Sequence, residues 1–240
     1  MAFPFFYINE YDEAQKEIVL NEETSKHIVQ VLRMQEGEKT NLTDGKGNLV
    51  TAEIVDPHKK HCSVKVIDSR FTPDGYRDHA SRKVTIAISL LKNTNRFEWF
   101  LEKATEIGVS AIIPLICERT EKEKFRYDRM LGICISAMLQ SEQVWLPVLH
   151  KPVEFLKEVS QSNAEQKFIA HCMLGVKQSL SNFPTSQFQN SQMLIGPEGD
   201  FTKEEIELAL QKSFIPVSLG DTRLRTETAG VVAATLLCGC

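Results

Sequence analysis

From Lys83 onward the chain alternates short apolar runs with segments whose apolar residues recur at helical spacing. Lys83–Leu91 is an apolar run, and Arg96–Ile107 then sets Phe97, Phe100, Leu101, Ala104 and Ile107 on one helical face before Gly108 stops it. Val109–Cys117 is again strand-like. Tyr127–Gln140 has a helical stripe of Met130, Leu131, Cys134, Ala137 and Met138. Phe168–Cys172, Gln192–Ile195 and Ile215–Leu219 are further strands, with helices predicted over Thr202–Gln211 and Thr226–Leu237 and a polar loop near 178–191. Strands that alternate with helices in this way build an α/β layer around a mainly parallel sheet.

The first seventy residues follow another rule. Apolar runs recur at Phe5–Ile8, Glu17–Leu20, Lys39–Thr43, Leu49–Val55 and Ser63–Ile67, and Asp44-Gly45-Lys46-Gly47-Asn48 is a hairpin turn signal. One short helix is expected over Glu23–Leu32, with His27, Ile28, Val31 and Leu32 on its apolar face. So many short strands in so little chain predict a small β-barrel. The polar, Pro- and Gly-bearing stretch 71–82 marks a boundary, giving domains over 1–72 and 73–240.

Composition excludes more than it identifies. The 240 residues hold no apolar run long enough for a membrane helix, and Met1-Ala2-Phe3-Pro4-Phe5-Phe6 lacks the basic flank and apolar core of a signal peptide. A cytoplasmic protein with no membrane partner is expected. The six cysteines include no C-x2-C pair, and His58, His61 and Cys62 lack a fourth ligand at a useful spacing, so no metal is expected. Cys238-Gly239-Cys240 is expected to be a solvated tail. A net charge of -4 weakly disfavours nucleic acid as a partner, although a local basic patch can coexist with an acidic total.

Two strand ends carry unusual chemistry. Met193-Leu194-Ile195 runs into Gly196-Pro197-Glu198-Gly199-Asp200, after which Thr202 and Glu205 fit a capping box. The glycines leave backbone amides open to a ligand, although a tight strand–helix turn would use them equally well. Val217-Ser218-Leu219 runs into Gly220-Asp221-Thr222-Arg223-Leu224-Arg225-Thr226-Glu227-Thr228, followed by small residues from Ala229. Arginines in such a loop suit an anionic substrate, or they pair with Asp221 or Glu227. In open α/β sheets ligands bind beyond the carboxyl ends of the strands. Neither loop is a dinucleotide or P-loop fingerprint, and no G-x-S-x-G elbow occurs.

Leu194-Ile195-Gly196-Pro197-Glu198-Gly199 with Phe201-Thr202-x-x-Glu205, followed by Leu219-Gly220-x-x-x-Leu224-Arg225-Thr226-Glu227-Thr228-Ala229, resembles the two cofactor loops of SPOUT methyltransferases of the RsmE type. His27-x-x-x-Val31-Leu32-Arg33-Met34 and Asp44-Gly45-x-Gly47 resemble that family's amino-terminal PUA-like domain. Glu102-Lys103-x-Thr105-Glu106-Ile107-Gly108-Val109, Pro114-Leu115-x-x-x-Glu118-Arg119 and Gln140-Ser141 with Pro147 resemble its central segment. Two positions depart: Asp200 stands where the family commonly has a second Gly, and Gln143 where it often has Arg.

The resemblance implies an α/β SPOUT domain with a carboxyl-terminal trefoil knot, a rare exception to topology rules, behind a small PUA-like β-barrel. It implies methylation of N3 of a specific uridine in small-subunit (16S) ribosomal RNA, with the RNA or the assembled small subunit as partner, and a homodimer. S-adenosyl-L-methionine would lie against Leu194, Ile195, Gly196, Pro197, Glu198, Gly199, Leu219, Gly220, Leu224, Thr226, Glu227, Thr228 and Ala229. Arg225 would be the catalytic residue, and Arg33, Lys39, Lys92, Arg96, Arg119 and Arg223 the RNA contacts. A SPOUT enzyme acting on another atom, such as a ribose 2′-hydroxyl, and an inactive RNA-binding or ribosome-assembly module are the alternatives.

Overall fold

A computed structural model describes residues 3–72, 83–121, 124–173, 175, 177–183 and 189–239. The chain forms two compact units: Met1–Ala80 with Met138–Leu146, and Ser81–Ala137 with Pro147–Cys240.

The first unit contains β1 (Phe5–Tyr7), β2 (Glu17–Val19), α1 (Glu22–Lys26), β3 (Lys39–Thr43), β4 (Asn48–Asp56) and β5 (Ser63–Phe71). They form one half-barrel sheet in the order β1-β3-β4-β5-β2, antiparallel except where β1 pairs with β3. Strict alternation along β4 turns Val50, Ala52 and Ile54 inward. They meet Phe6, Ile18, Leu42 and Val64 in a single core. The β3–β4 turn forms as expected. Asp44 accepts from Lys46 N at 2.9 Å and from Asn48 Nδ2 at 2.7 Å, while Gly45 and Gly47 adopt φ of 71° and 98°. A Cβ on Gly47 would lie 2.5 Å from Trp145 Cζ2, because the Val144–Leu146 segment pairs with this turn.

The predicted helix is shorter and changes character. Asn21 caps α1 by accepting from Thr24 N, and a π-helical turn follows over His27–Val31. The wider i→i+5 turn breaks the 3.6-residue stripe. Only Ile28 of the four expected apolar positions is buried. Val31 and Leu32 are 67% and 43% exposed, and Met34 takes the inward place after Arg33 turns through φ 56°. At the expected boundary, Phe71 still belongs to β5 and Thr72 O accepts from Trp145 Nε1 at 3.0 Å. The rest of the expected linker, 73–82, lies outside the described residues, as does Cys240.

The second unit contains β6 (Lys83–Ser89), α2 (Thr94–Ile107), β7 (Ala111–Ile116), α3 (Tyr127–Gln140, whose last turn belongs to the first unit), β8 (Val148–Leu149), β9 (Val153–Glu154) and α4 (Phe155–Gln161). It continues with β10 (Gln166–Ala170), β11 (Gln178–Ser179), β12 (Asn190–Ile195), α5 (Lys203–Gln211), β13 (Ile215–Ser218) and α6 (Thr226–Cys238). The sheet runs β11-β13-β10-β12-β6-β7-β8, with β9 also on β7, and every pairing is parallel. Its central strands are covered on both faces, so they are nearly continuous apolar runs. Leu194, Ile169, Ala87 and Leu115 pack with Phe155, Phe201, Ile206 and Phe214 in one core cluster.

Gly108 ends α2 at φ 95°, and its N–H reaches the carbonyls of Ala104 and Thr105. The loop expected near 178–191 holds β11 and a 3-10 turn over Leu180–Asn182, with Leu180 fully buried; residues 184–188 lie outside the described residues. Strand β13 lies two places from β12, yet α6, which follows it, packs on α2, β6 and β12. The carboxyl-terminal segment is therefore carried back to the middle of the sheet.

Candidate active site

Strands β10, β12 and β13 are parallel and adjacent, so their carboxyl ends emerge together. Beyond them lies a cleft of about 760 Å³. Its walls are Ala170–Cys172 and Lys177 after β10, Ile195–Glu198 and Asp200 after β12, Val217–Arg225 around the end of β13, and Thr226 and Ala229 on α6. The two loops singled out in the sequence are thus two walls of one site.

Most of the expected cofactor residues meet here. Ile195, Gly196, Pro197, Glu198, Leu219, Gly220, Leu224, Thr226 and Ala229 line the cleft. Leu194, Gly199, Glu227 and Thr228 do not. Leu194 is fully buried in the core beneath the loop. Gly199 faces Arg119, whose Cδ would lie 3.4 Å from a Cβ added there. Glu227 is buried on α6, with Oε1 3.6 Å from Arg96 Nε and, among the described residues, no hydrogen-bond partner for Oε2.

The loop after β12 is shaped by local chemistry. Thr202 and Glu205 form the reciprocal capping box, with Thr202 Oγ1 accepting from Glu205 N and Glu205 Oε2 from Thr202 N. A Cβ on Gly196 would come within 3.1 Å of the Phe201 ring, so the turn packs closely on that buried ring. Asp200 adopts φ 65° and accepts from Cys172 N at 2.7 Å and from Phe201 N at 2.9 Å. At β13, Gly220 has φ 141° and its missing Cβ would meet nothing within 4 Å.

The cationic candidates separate. Arg223 and Arg225 are exposed on the cleft wall, and neither forms an ion pair among the described residues. Arg33 and Lys39 are exposed in the first unit. The other three have intramolecular partners. Lys92 pairs with Glu121 at 2.6 Å, Arg96 approaches Glu227, and Arg119 Nη1 donates to Gly199 O at 2.7 Å. Single-residue reasoning missed these pairings because the partners are distant in sequence.

The sequence reasoning also missed the β10 wall: Ala170, His171, Cys172 and Lys177. Its signal was present, since Phe168–Cys172 is an apolar strand ending in polar residues, but no glycine follows the strand directly as Gly196 and Gly220 follow theirs. Burial lowers the His171 imidazole below its ordinary range, the Lys177 charge lowers it further, and Asp200 partly opposes both. At the end of β7, burial and the Glu205 carboxylate push the Cys117 thiol up to about 12, so it is a neutral core group rather than a nucleophile.

Known proteins match this arrangement. Residues 78–238 match the RNA methyltransferase domain, and residues 20–67 the RNA methyltransferase PUA domain. Ribosomal RNA small subunit methyltransferase E of Synechocystis is 32% identical over 216 residues, covering 86% of this chain and 68% of the relative. A probable rRNA-methyltransferase from Porphyromonas gingivalis superposes with a TM-score of 0.86 at 35% identity, covering 99% of each chain. Ribosomal RNA small subunit methyltransferase E from Neisseria gonorrhoeae, solved bound to S-adenosyl methionine, superposes with a TM-score of 0.85 at 27% identity, covering 97% of this chain and 95% of that one. With its half-barrel PUA unit and its knotted parallel sheet, the chain belongs to the RNA methyltransferase family of the SPOUT class and is an S-adenosylmethionine-dependent ribosomal RNA methyltransferase of the E type.

Proposed function

We propose that this chain methylates N3 of a uridine in small-subunit (16S) ribosomal RNA from S-adenosylmethionine held in the cleft beyond β10, β12 and β13. The observation that carries this is the convergence of both cofactor loops on one cleft whose wall also bears the exposed Arg225, which forms no ion pair among the described residues. The cleft suits the cofactor chemically. Ile195, Pro197, Leu219 and Leu224 offer apolar surface to an adenine ring. The open face at Gly220 lets backbone groups approach. Gly196, Glu198, Thr226 and Ala229 complete the walls.

When bound, S-adenosylmethionine supplies an electrophilic methyl group on a sulfonium. The protein must hold the uridine in line with it and stabilise the anion left when N3 loses its proton. Arg225 orients the base and faces that developing charge with its guanidinium. No side chain is assigned as the proton acceptor. Arg223, Arg33 and Lys39 contact RNA phosphates, whereas Lys92, Arg96 and Arg119 contribute mainly by shaping the protein. We further propose a cytoplasmic homodimer acting on the RNA or on the assembled small subunit. Among the described residues no helix is long and apolar enough to cross a membrane.

The test is methylation of purified small subunits and of naked RNA with labelled cofactor, followed by nucleoside identification. The expected product is 3-methyluridine, and a 2′-O-methyl nucleoside would overturn the assignment. Arg225→Ala is expected to lower turnover about a hundredfold, the scale of one transition-state donor, while calorimetry still finds cofactor binding. Unchanged turnover would remove Arg225 from the mechanism.

A further inference from the structure

The loop Gly196–Asp200 is tied from two sides, by its own Asp200 and by Arg119, which the sequence offers as an RNA contact. Asp200 stands in the left-handed region at φ 65°, where a glycine would sit without strain. Its carboxylate accepts from Cys172 N at 2.7 Å, joining this loop to the one after β10, and from Phe201 N at 2.9 Å, closing its own turn. From the other side Arg119, in the loop after β7, donates from Nη1 to Gly199 O at 2.7 Å and packs its Cδ against the space a Cβ on Gly199 would fill. Three strand ends are thereby linked through two adjacent residues, Gly199 and Asp200.

We infer that Asp200 and Arg119 are positioning residues that preset the β12–α5 loop for S-adenosylmethionine. The inference rests on the proposal that this cleft holds the cofactor. Neither side chain needs to touch the ligand. Asp200 spends both carboxylate oxygens on backbone N–H groups, and Arg119 spends a donor on a backbone carbonyl. What they hold is the Gly199–Asp200 corner, which is joined to the cleft-lining Gly196–Glu198 segment by Asp200 N donating to Pro197 O at 2.9 Å. A loop already fixed in its bound shape avoids the ordering cost of binding, so the latches act on affinity. At position 200 the chain keeps a non-glycine residue at a φ of 65° and gains through its carboxylate a link to the β10 loop.

The variants Asp200→Gly, Asp200→Asn, Arg119→Ala and Arg119→Lys separate this role from plain structural support. Asp200→Gly removes the latch but also relieves the left-handed backbone, which offsets part of the stability lost with the two hydrogen bonds. Asparagine keeps an oxygen for Cys172 N and tolerates the left-handed conformation. Calorimetry, AdoMet-dependent kinetics and thermal unfolding are run on the full chain. The expected result is a rise of about tenfold in AdoMet Kd and KM for Asp200→Gly and Arg119→Ala, the scale of a lost charge-assisted hydrogen bond. Turnover at saturating cofactor should fall much less, and Asp200→Asn and Arg119→Lys should recover most of the affinity. Unchanged Kd and KM in both Asp200→Gly and Arg119→Ala, with only the melting temperature lowered, would overturn the inference. Ala229→Trp, which fills the cleft, is the companion control. If it binds cofactor like the unaltered chain, the cleft assignment fails and this inference falls with it. If it abolishes binding while the latch variants bind normally, only the latches fail.

Discussion

Glu227 Oε1 lies 3.6 Å from Nε of Arg96, joining the first turn of α6 to the first turn of α2, and the other Glu227 oxygen is buried without a hydrogen-bond partner among the described residues. A carboxylate in that setting depends on its one cation and on the positive end of its own helix. Arg96→Ala should therefore destabilise the fold by about 1–2 kcal/mol, below the cost of breaking a fully buried pair because Arg96 is partly exposed. Glu227→Gln, which removes the charge and keeps the shape, should cost less in the background of Arg96→Ala than in the parent chain. Urea unfolding of the four proteins measures this coupling, and additive losses would mean that the two groups do not interact.

The packing of α6 makes a second prediction opposite in sign to helix propensity. An alanine in place of a helical glycine normally gains up to about 1 kcal/mol. At Gly230 the added Cβ would lie 2.6 Å from Phe100 Cε2 and 2.9 Å from Ile88 Cδ1, both in fully buried side chains. Gly230→Ala should instead lose about 1–3 kcal/mol through overpacking. A denaturation midpoint at or above that of the parent chain would show that α6 has room to move.

His171 predicts a pH dependence. Its folded-state imidazole is lowered by burial, then by Lys177, against a smaller opposite effect of Asp200. The unfolded chain therefore takes up the proton first as pH falls. The stability tied to neutral His171 is fully present above the ordinary imidazole range, about 6.5, and is lost as pH drops through it toward the lower folded value. Between pH 7.5 and 5.5, His171→Gln should show a flatter stability profile than the parent. Parallel profiles would leave the imidazole without a role in that window.

Thiol reactivity offers a check on the cleft. Burial pushes Cys117 up to about 12 and Cys134 up to about 11, so both stay protonated and shielded in the native chain. Cys172 is exposed on the cleft wall. Mass mapping after brief iodoacetamide treatment should find Cys172 modified well before Cys117 or Cys134. Saturating S-adenosylmethionine should slow the Cys172 reaction, and no protection by cofactor would argue against binding beside β10.

Much of this protein is local and was therefore legible in the order of residues. The alternation after Lys83, the glycine stop at 108 and the Thr202–Glu205 capping box depend on neighbours within a few positions, and each appears where the pattern places it. So do β3 and the turn that follows it. The π-helical turn was not legible, because a single i→i+5 step moves Val31 and Leu32 outward while leaving the residue types unchanged. Nor was the place of Val144–Leu146, which pairs with a turn a hundred positions earlier.

The candidate site divides along the same line. Its two glycine-bearing loops were visible as strand ends, since glycine and proline advertise a turn wherever it occurs. That the loops share a cleft, with a third wall from β10, followed only from the parallel register of β10, β12 and β13. The charged residues needed the fold most. In sequence Arg96 and Arg119 are expected as RNA contacts and Arg225 as the catalytic residue, but residue type alone does not tell the three apart. In space one meets a buried carboxylate, one holds a backbone carbonyl, and one stands exposed on the cleft wall. A charge acts through whatever lies within a few ångströms of it, and for these arginines the groups that decide are up to 131 positions away along the chain, as with Arg96 and Glu227 (227 − 96).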